Sequence, residues 1–85
     1  MSSELAIAET SSVFLVLVGC IVDDTDSVSL RAETISSETV FRLKVARGDL
    51  GEVIGKQGRN ARALRTLLHA TNIKHGLQFS LDIDE

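Results

Sequence analysis

The run Val53-Ile54-Gly55-Lys56-Gln57-Gly58-Arg59-Asn60 decides how the rest of this 85-residue chain is read. Two glycines bracket a Lys-Gln pair, an apolar Val-Ile step precedes them, and an arginine-bearing helical pattern follows. Glycine takes positive φ and has no Cβ to obstruct an approaching backbone. Between two helical patterns, a Gly-x-x-Gly turn therefore lets another backbone come close, with Lys56 supplying a cation there. The free amides and dipole at the start of the second helix favour an anion at the same place. That combination suits the phosphates of a single-stranded nucleic acid.

The flanks extend the pattern outward. Upstream, Asp49 is placed to cap a short helix over residues 50–54, which Gly55 ends. Downstream, a helix is expected from about Gly58 or Arg59 to Gly76. At 3.6 residues per turn, Ala61, Leu64, Leu67, Leu68 and Thr71 share one side, while Arg59, Arg62, Arg65 and His69 share the other. Ile73 falls near the basic side, where a bend or frayed end is expected. Leu50, Val53 and Ile54 offer an apolar floor for bases.

Two segments before the loop have a two-residue period. Val28, Leu30 and Ala32 alternate with Ser29, Arg31 and Glu33, and after Ser36-Ser37-Glu38 the pattern resumes through Phe41, Leu43 and Val45. An antiparallel hairpin follows, with Arg42 and Lys44 turned away from its apolar face. Leu77, Phe79, Leu81 and Ile83 make a final half-buried strand. Residues 13–22 are apolar throughout. Their β-branched content pulls towards strand, but a helix over about 10–22, capped by Thr10, Ser11 or Ser12, is the expectation. Residues 1–9 read as a loose N-terminal extension. The order is α-β-β-α-α-β, an α+β domain whose three-stranded sheet carries helices on one face.

Composition narrows the functional classes. Residues 10–22, the longest uncharged run, number 13, short of the roughly 20 that span a bilayer. The lone Cys20 reads as a buried structural thiol and forms no internal disulfide, which fits a reducing, cytoplasmic setting. The net charge of −3 is unevenly spread. Residues 1–27 hold five acids and no base, whereas residues 42–66 hold seven bases against Asp49 and Glu52. Fields act within about 8–10 Å at cellular salt, so the basic block can attract phosphate while the whole chain stays acidic. With no Trp or Tyr, and with Phe14, Phe41 and Phe79 all in apolar patterns, aromatic stacking platforms are absent.

Catalysis finds little support. The Gly51-x-x-x-Gly55-Lys56 spacing is one residue short of a nucleotide-binding phosphate loop, and Gln57 occupies the position of its metal-binding Ser or Thr. His69 and His75 have no Cys or paired carboxylate at metal-ligand spacing, and read as surface or groove-lining residues. No catalytic residue, metal or cofactor is expected. An arginine stripe is commonly only a solvated helix face. Here it follows a lysine-bearing glycine loop, with no acid between Glu52 and Asp82.

Residues 53–58 followed by Arg59-Asn60-Ala61-Arg62-Ala63-Leu64-Arg65-Thr66-Leu67-Leu68 resemble the signature of KH domains, most closely the small bacterial KH proteins of the KhpA type. The resemblance runs from about residue 23 to the C-terminus, in the order of a type II KH fold, within a domain taken as residues 10–85. It implies binding of single-stranded RNA through Ile54, Gly55, Lys56, Gln57, Gly58, Arg59, Arg62 and Arg65. It also implies pairing with a second copy or with a KhpB-type (Jag/EloR) KH protein, and a post-transcriptional or RNA-chaperone role linked to cell division and envelope growth. Three positions depart from the family pattern. Glu52 stands where a base is usual, Arg47-Gly48 replaces a Pro–acid pair, and residues 13–22 are apolar all round where relatives carry an amphipathic helix. A helix apolar on every side needs more cover than one small sheet provides, which points to a protein partner.

Overall fold

In the computed structural model, which describes residues 3–85, the two alternating segments form neighbouring strands: β1, Ser29–Ile35, and β2, Glu38–Lys44. Their antiparallel register is unbroken, from Ser29 opposite Lys44 to Ile35 opposite Glu38, around the two-residue turn Ser36-Ser37. The turn requires Ser36 at φ 57°. The last strand, β3 (Phe79–Ile83), runs parallel to β2 on its other side, so the sheet is mixed, in the order β1-β2-β3. Three helices complete the α+β fold: α1, Ser3–Gly19; α2, Leu50–Ile54; and α3, Arg59–His75.

Strand alternation places the core. Phe41, Leu43, Phe79, Leu81 and Ile83 all point to the helix-bearing face and are buried. Ala61, Leu64 and Leu68 of α3 and Phe14 and Val18 of α1 meet them. Phe41, fully buried at the centre of the middle strand, takes Phe14 and Phe79 edge-on at centroid distances of 6.2 and 5.1 Å. Edge-to-face geometry is the favourable one for such rings, and all three phenylalanines are core as expected. Leu67, expected on the buried side of α3, is instead 50% exposed, because the core stripe is narrower than the apolar pattern. Near Ile73 the helix does not fray. It runs on to His75 and stops at Gly76, whose φ of 66° closes it with N–H groups of Gly76 and Leu77 both donating to the Asn72 carbonyl.

The N-terminal segment differs from expectation at both ends. The helix begins at Ser3 rather than near Thr10, and residues 4–9 are helical rather than loose. Glu-Leu-Ala-Ile-Ala-Glu is a run of good helix formers, and Ala6 continues the four-residue spacing of Thr10, Phe14 and Val18 into the core. Ser12, expected among the caps, sits mid-helix with its hydroxyl donating to the Ala8 carbonyl at 3.1 Å. Met1 and Ser2, also assigned to the loose extension, lie outside the described residues. Cys20 follows the helix in a turn and is exposed, so it is not the buried thiol its neighbours suggested.

Candidate nucleic-acid interface

The loop after α2 is held in its shape by glycine conformations and by one asparagine. Gly55 has φ 79° and ψ 166°, Gln57 φ 60° and Gly58 φ 74°, three positive φ values within four residues. A Cβ on Gly55 would lie 2.8 Å from the Asn60 backbone nitrogen, so the first glycine is required by contact as well as by dihedral. At Gly58 a Cβ would meet nothing within 4 Å. Asn60 donates from its side-chain amide to the Glu52 carbonyl at 2.7 Å, tying the end of α2 to the first turn of α3. Sequence reading passed over Asn60, although an amide two residues after a Gly-x-x-Gly turn is a plausible staple for the helix before it.

The loop presents Lys56 and Gln57 to solvent, and Arg59 and Arg62 stand exposed on the first turns of α3. Among the described residues, no side chain caps the N-terminus of this 17-residue helix. Among the described residues, Lys56, Arg59, Arg62 and Arg65 make no ion pair. Ile54 is half-buried at the end of α2, and Leu50 is likewise half-buried. Val53 is wholly buried in the core, so it cannot form part of an apolar floor for bases.

The arginines do not share one stripe. Each step of three residues turns about 300° around a helix, so Arg65 lies about 120° from Arg59. Its guanidinium reaches over strand β3 and donates to the Leu81 carbonyl at 3.4 Å. There α3 and the outer edge of β3 bound a shallow groove of about 220 Å³, lined by Arg65, His69, Asn72, Phe79, Ser80 and Leu81. His69 thus lines a groove, as its helical position suggested. Asn72 and the strand edge were missed, because nothing local to residue 72 reveals that a strand will lie beside it.

The basic block also divides. Arg42 and Lys44 lie on the sheet face away from the helices. Arg42 donates to Glu33 at 3.0 Å and to Asp82 at 3.1 Å. The Glu33 hydrogen bond and charge, with a smaller contribution from Asp82, raise the Arg42 guanidinium above its ordinary pKa. Of the seven bases counted in sequence, Arg42 is therefore neutralised and on the wrong face. The field at the loop comes from Lys56, Arg59 and Arg62, with Arg65 set over the groove.

Asp49 has a different role from the one expected of it. It precedes α2 but makes no side-chain cap. Its carboxylate, on a residue only 5% exposed, accepts the backbone N–H groups of Asp23 and Asp24, both at 3.0 Å. It thereby fixes the chain leaving α1 against the base of α2.

Residues 14–83 match the model of the KhpA/KhpB KH domain. The RNA-binding protein KhpA of Listeria monocytogenes is 38% identical over 71 residues, covering 84% of this chain and 93% of that protein. Its counterpart in Chlamydia trachomatis is 36% identical over 69 residues, covering 81% and 88%. That of Aquifex aeolicus is 45% identical over 65 residues, covering 76% and 82%.

Proposed function

The chain belongs to the KhpA/KhpB family of KH domains, and from that premise we propose that it binds single-stranded RNA without catalysis. One observation carries the reading. A glycine loop in a left-handed conformation delivers unpaired Lys56, Arg59 and Arg62 to the uncapped start of a long helix. Phosphates sit against the amides of that turn and the cations beside them. About four nucleotides follow the face past Ile54 into the groove between α3 and β3, where Arg65, His69 and the Leu81 edge meet the bases. The site comprises Ile54, Gly55, Lys56, Gln57, Gly58, Arg59, Arg62 and Arg65. The cellular role consistent with the family is that of a cytoplasmic post-transcriptional regulator or RNA chaperone, linked to cell division and envelope growth.

The test is the double change Lys56→Asp with Gln57→Asp, which reverses the charge of the loop and leaves every core residue in place. Crosslinking to single-stranded RNA is lost while circular dichroism and thermal melting stay as in the wild type. RNA crosslinking that persists in a folded double variant removes the assignment.

A second reading is favoured by the outer side of α1, where Val13 is 56% exposed beside half-exposed Leu67 of α3 and Val16 is 67% exposed. On this reading the domain is a protein-interaction module whose apolar helix takes a partner, a second copy or a KhpB-type KH protein, and RNA binding is incidental. Light scattering on wild type and Val16→Glu separates the two. If the wild type is a monomer with and without a candidate KhpB-type partner, the second reading fails.

A further inference from the structure

The two outer edges of the sheet differ. Along β1, no hydrogen bond among the described residues reaches the strand backbone from outside the hairpin. Along β3, side chains of α3 take most of the available groups. Thr39 donates its N–H to the Gln78 carbonyl and Asp84 donates to the Leu43 carbonyl, so the even-numbered residues of this segment pair with β2. The odd-numbered residues of a parallel ladder in that phase turn their peptide groups outward. Those of Phe79 and Leu81 therefore face the groove beside α3.

What these groups still offer is uneven. The Asn72 side chain accepts the Phe79 N–H and donates to the Phe79 carbonyl, both at 2.9 Å. The Leu81 carbonyl accepts from the Arg65 guanidinium at 3.4 Å. The Leu81 N–H has no partner among the described residues. Each main-chain acceptor of this stretch thus has a donor from α3, while one main-chain donor is left over. The Arg65 guanidinium has further N–H groups in the same planar fork and no acceptor, and the Asn72 amide keeps a second hydrogen. Arg65 makes no ion pair among the described residues. His69, one turn beyond Arg65, carries one donor and one acceptor when neutral and leaves the balance unchanged. The groove is a row of donors.

Such a row discriminates between bases by what each edge carries. An unpaired base in a single strand exposes both its Watson–Crick and its Hoogsteen edge. The Hoogsteen edge of guanine, O6 and N7, holds two neighbouring acceptors and no donor. Adenine sets an amino group beside N7, cytosine sets one beside N3, and uracil has an N–H between its two carbonyls. We propose that Arg65 is a specificity-determining residue: held over β3 by the Leu81 carbonyl, it reads O6 and N7 of one guanine and gives the groove a preference for that base in single-stranded RNA. The proposal rests on the RNA reading above and adds the identity of a base to it.

Arg65 differs in this from Lys56, Arg59 and Arg62. Those stand at the loop and on the first turns of α3, where phosphates are held without regard to sequence. The fork matters as much as the charge, because an ammonium cannot bond two acceptors in one plane. Asn72 fills the adjoining stretch of edge at Phe79, so the base enters beside Leu81 and no further along.

The experiment is fluorescence anisotropy on the full chain, with short oligouridines carrying one central guanine, adenine, cytosine, hypoxanthine or 7-deazaguanine. The guanine oligonucleotide binds about tenfold tighter than those with adenine, cytosine or uracil at the same place. Hypoxanthine, which keeps O6 and N7 but lacks the 2-amino group, matches guanine. 7-Deazaguanine, which lacks N7, loses the preference. Arg65→Lys, with circular dichroism as the check on folding, loses it as well although the charge is kept. Lys56→Asp with Gln57→Asp weakens every oligonucleotide. Equal affinity for guanine and adenine overturns the proposal and leaves the RNA reading standing. So does a guanine preference that survives the loss of N7 or persists in folded Arg65→Lys. If no oligonucleotide binds the wild type, both readings fall. If Arg65→Lys does not fold, the base analogues alone decide.

Discussion

Asn72 stands beside Phe79 as a neighbouring strand would, donating to its carbonyl and accepting its N–H, each at 2.9 Å. A helix side chain thus closes the edge of a β-sheet at the point where the candidate RNA groove begins. The same residue's backbone carbonyl receives the N–H groups that end α3, so the helix terminus and the strand start are set by one position.

Asn72→Ala removes both side-chain bonds at a partly buried site. Stability is expected to fall by about 1–3 kcal/mol in urea unfolding, the cost of leaving such groups unpaired. The changes nearest Phe79 in an amide-exchange experiment should be the largest. Unaltered stability and exchange would mean that water replaces the amide without loss.

The two loop glycines differ in what they tolerate. Gly55→Ala meets the Asn60 backbone at 2.8 Å in a dihedral region reserved for glycine, and about 3 kcal/mol or more of destabilisation is expected. Gly58→Ala meets only the left-handed backbone penalty of about 1–2 kcal/mol, with no contact within 4 Å. Gly58→Ala should therefore fold and lose RNA affinity, because its new methyl points into the space an approaching backbone would use. Equal destabilisation by both changes would contradict this ordering.

Asp49→Ala leaves the N–H groups of Asp23 and Asp24 without their acceptor. A loss of about 2–3 kcal/mol is expected, given that bonds to a charged group are stronger than neutral ones. Asp49→Asn retains one acceptor oxygen and should lose roughly half as much. Were Asp49 only a local cap for α2, the change to Ala would typically cost about 1 kcal/mol and the change to Asn almost nothing, since Asn caps as well as Asp.

RNA affinity should fall with salt along a log–log slope of about −2 to −3, from three or four phosphates at about 0.7 per contact on a single strand. Lys56→Gln should flatten the slope by about 0.7. Arg42→Gln should leave it unchanged, since Arg42 is paired with Glu33 and Asp82 on the other sheet face. A fluorescence-anisotropy titration across salt concentrations reads both. An equal effect of the two substitutions would place the RNA path across the sheet instead.

Most of the architecture was legible because it is locally encoded. Residues 28–33 and 40–45 show their two-residue period without reference to anything distant, and so does the segment ending in Ile83. The helical spacing of Ala61, Leu64 and Leu68 and the closing Gly76 are equally local. The glycine loop was readable for the same reason: positive φ at Gly55 and Gly58 is a property of the residues themselves. The site residues of the loop and the first turns of α3 lie within one stretch of chain, which is why their proximity could be anticipated.

What the chain order concealed was every relationship spanning many residues. Asp49 serves amides 25 and 26 positions away rather than its own helix, and Arg42 is neutralised by Glu33 on the neighbouring strand with a further contact to Asp82, 40 positions on. Arg65 is drawn from the basic face to a strand that has not yet been reached in sequence. The uniformly apolar N-terminal segment could not show which of its residues would face Phe41, so the exposure of Val13, Val16 and Cys20 awaited the packed sheet. Sequence alone determined the elements after residue 28, the order of all of them and the loop. The tertiary structure decided which charges remain unpaired, which sheet edge stays open and which apolar face lacks cover. Those depend on neighbours brought together only when the sheet closes against its helices.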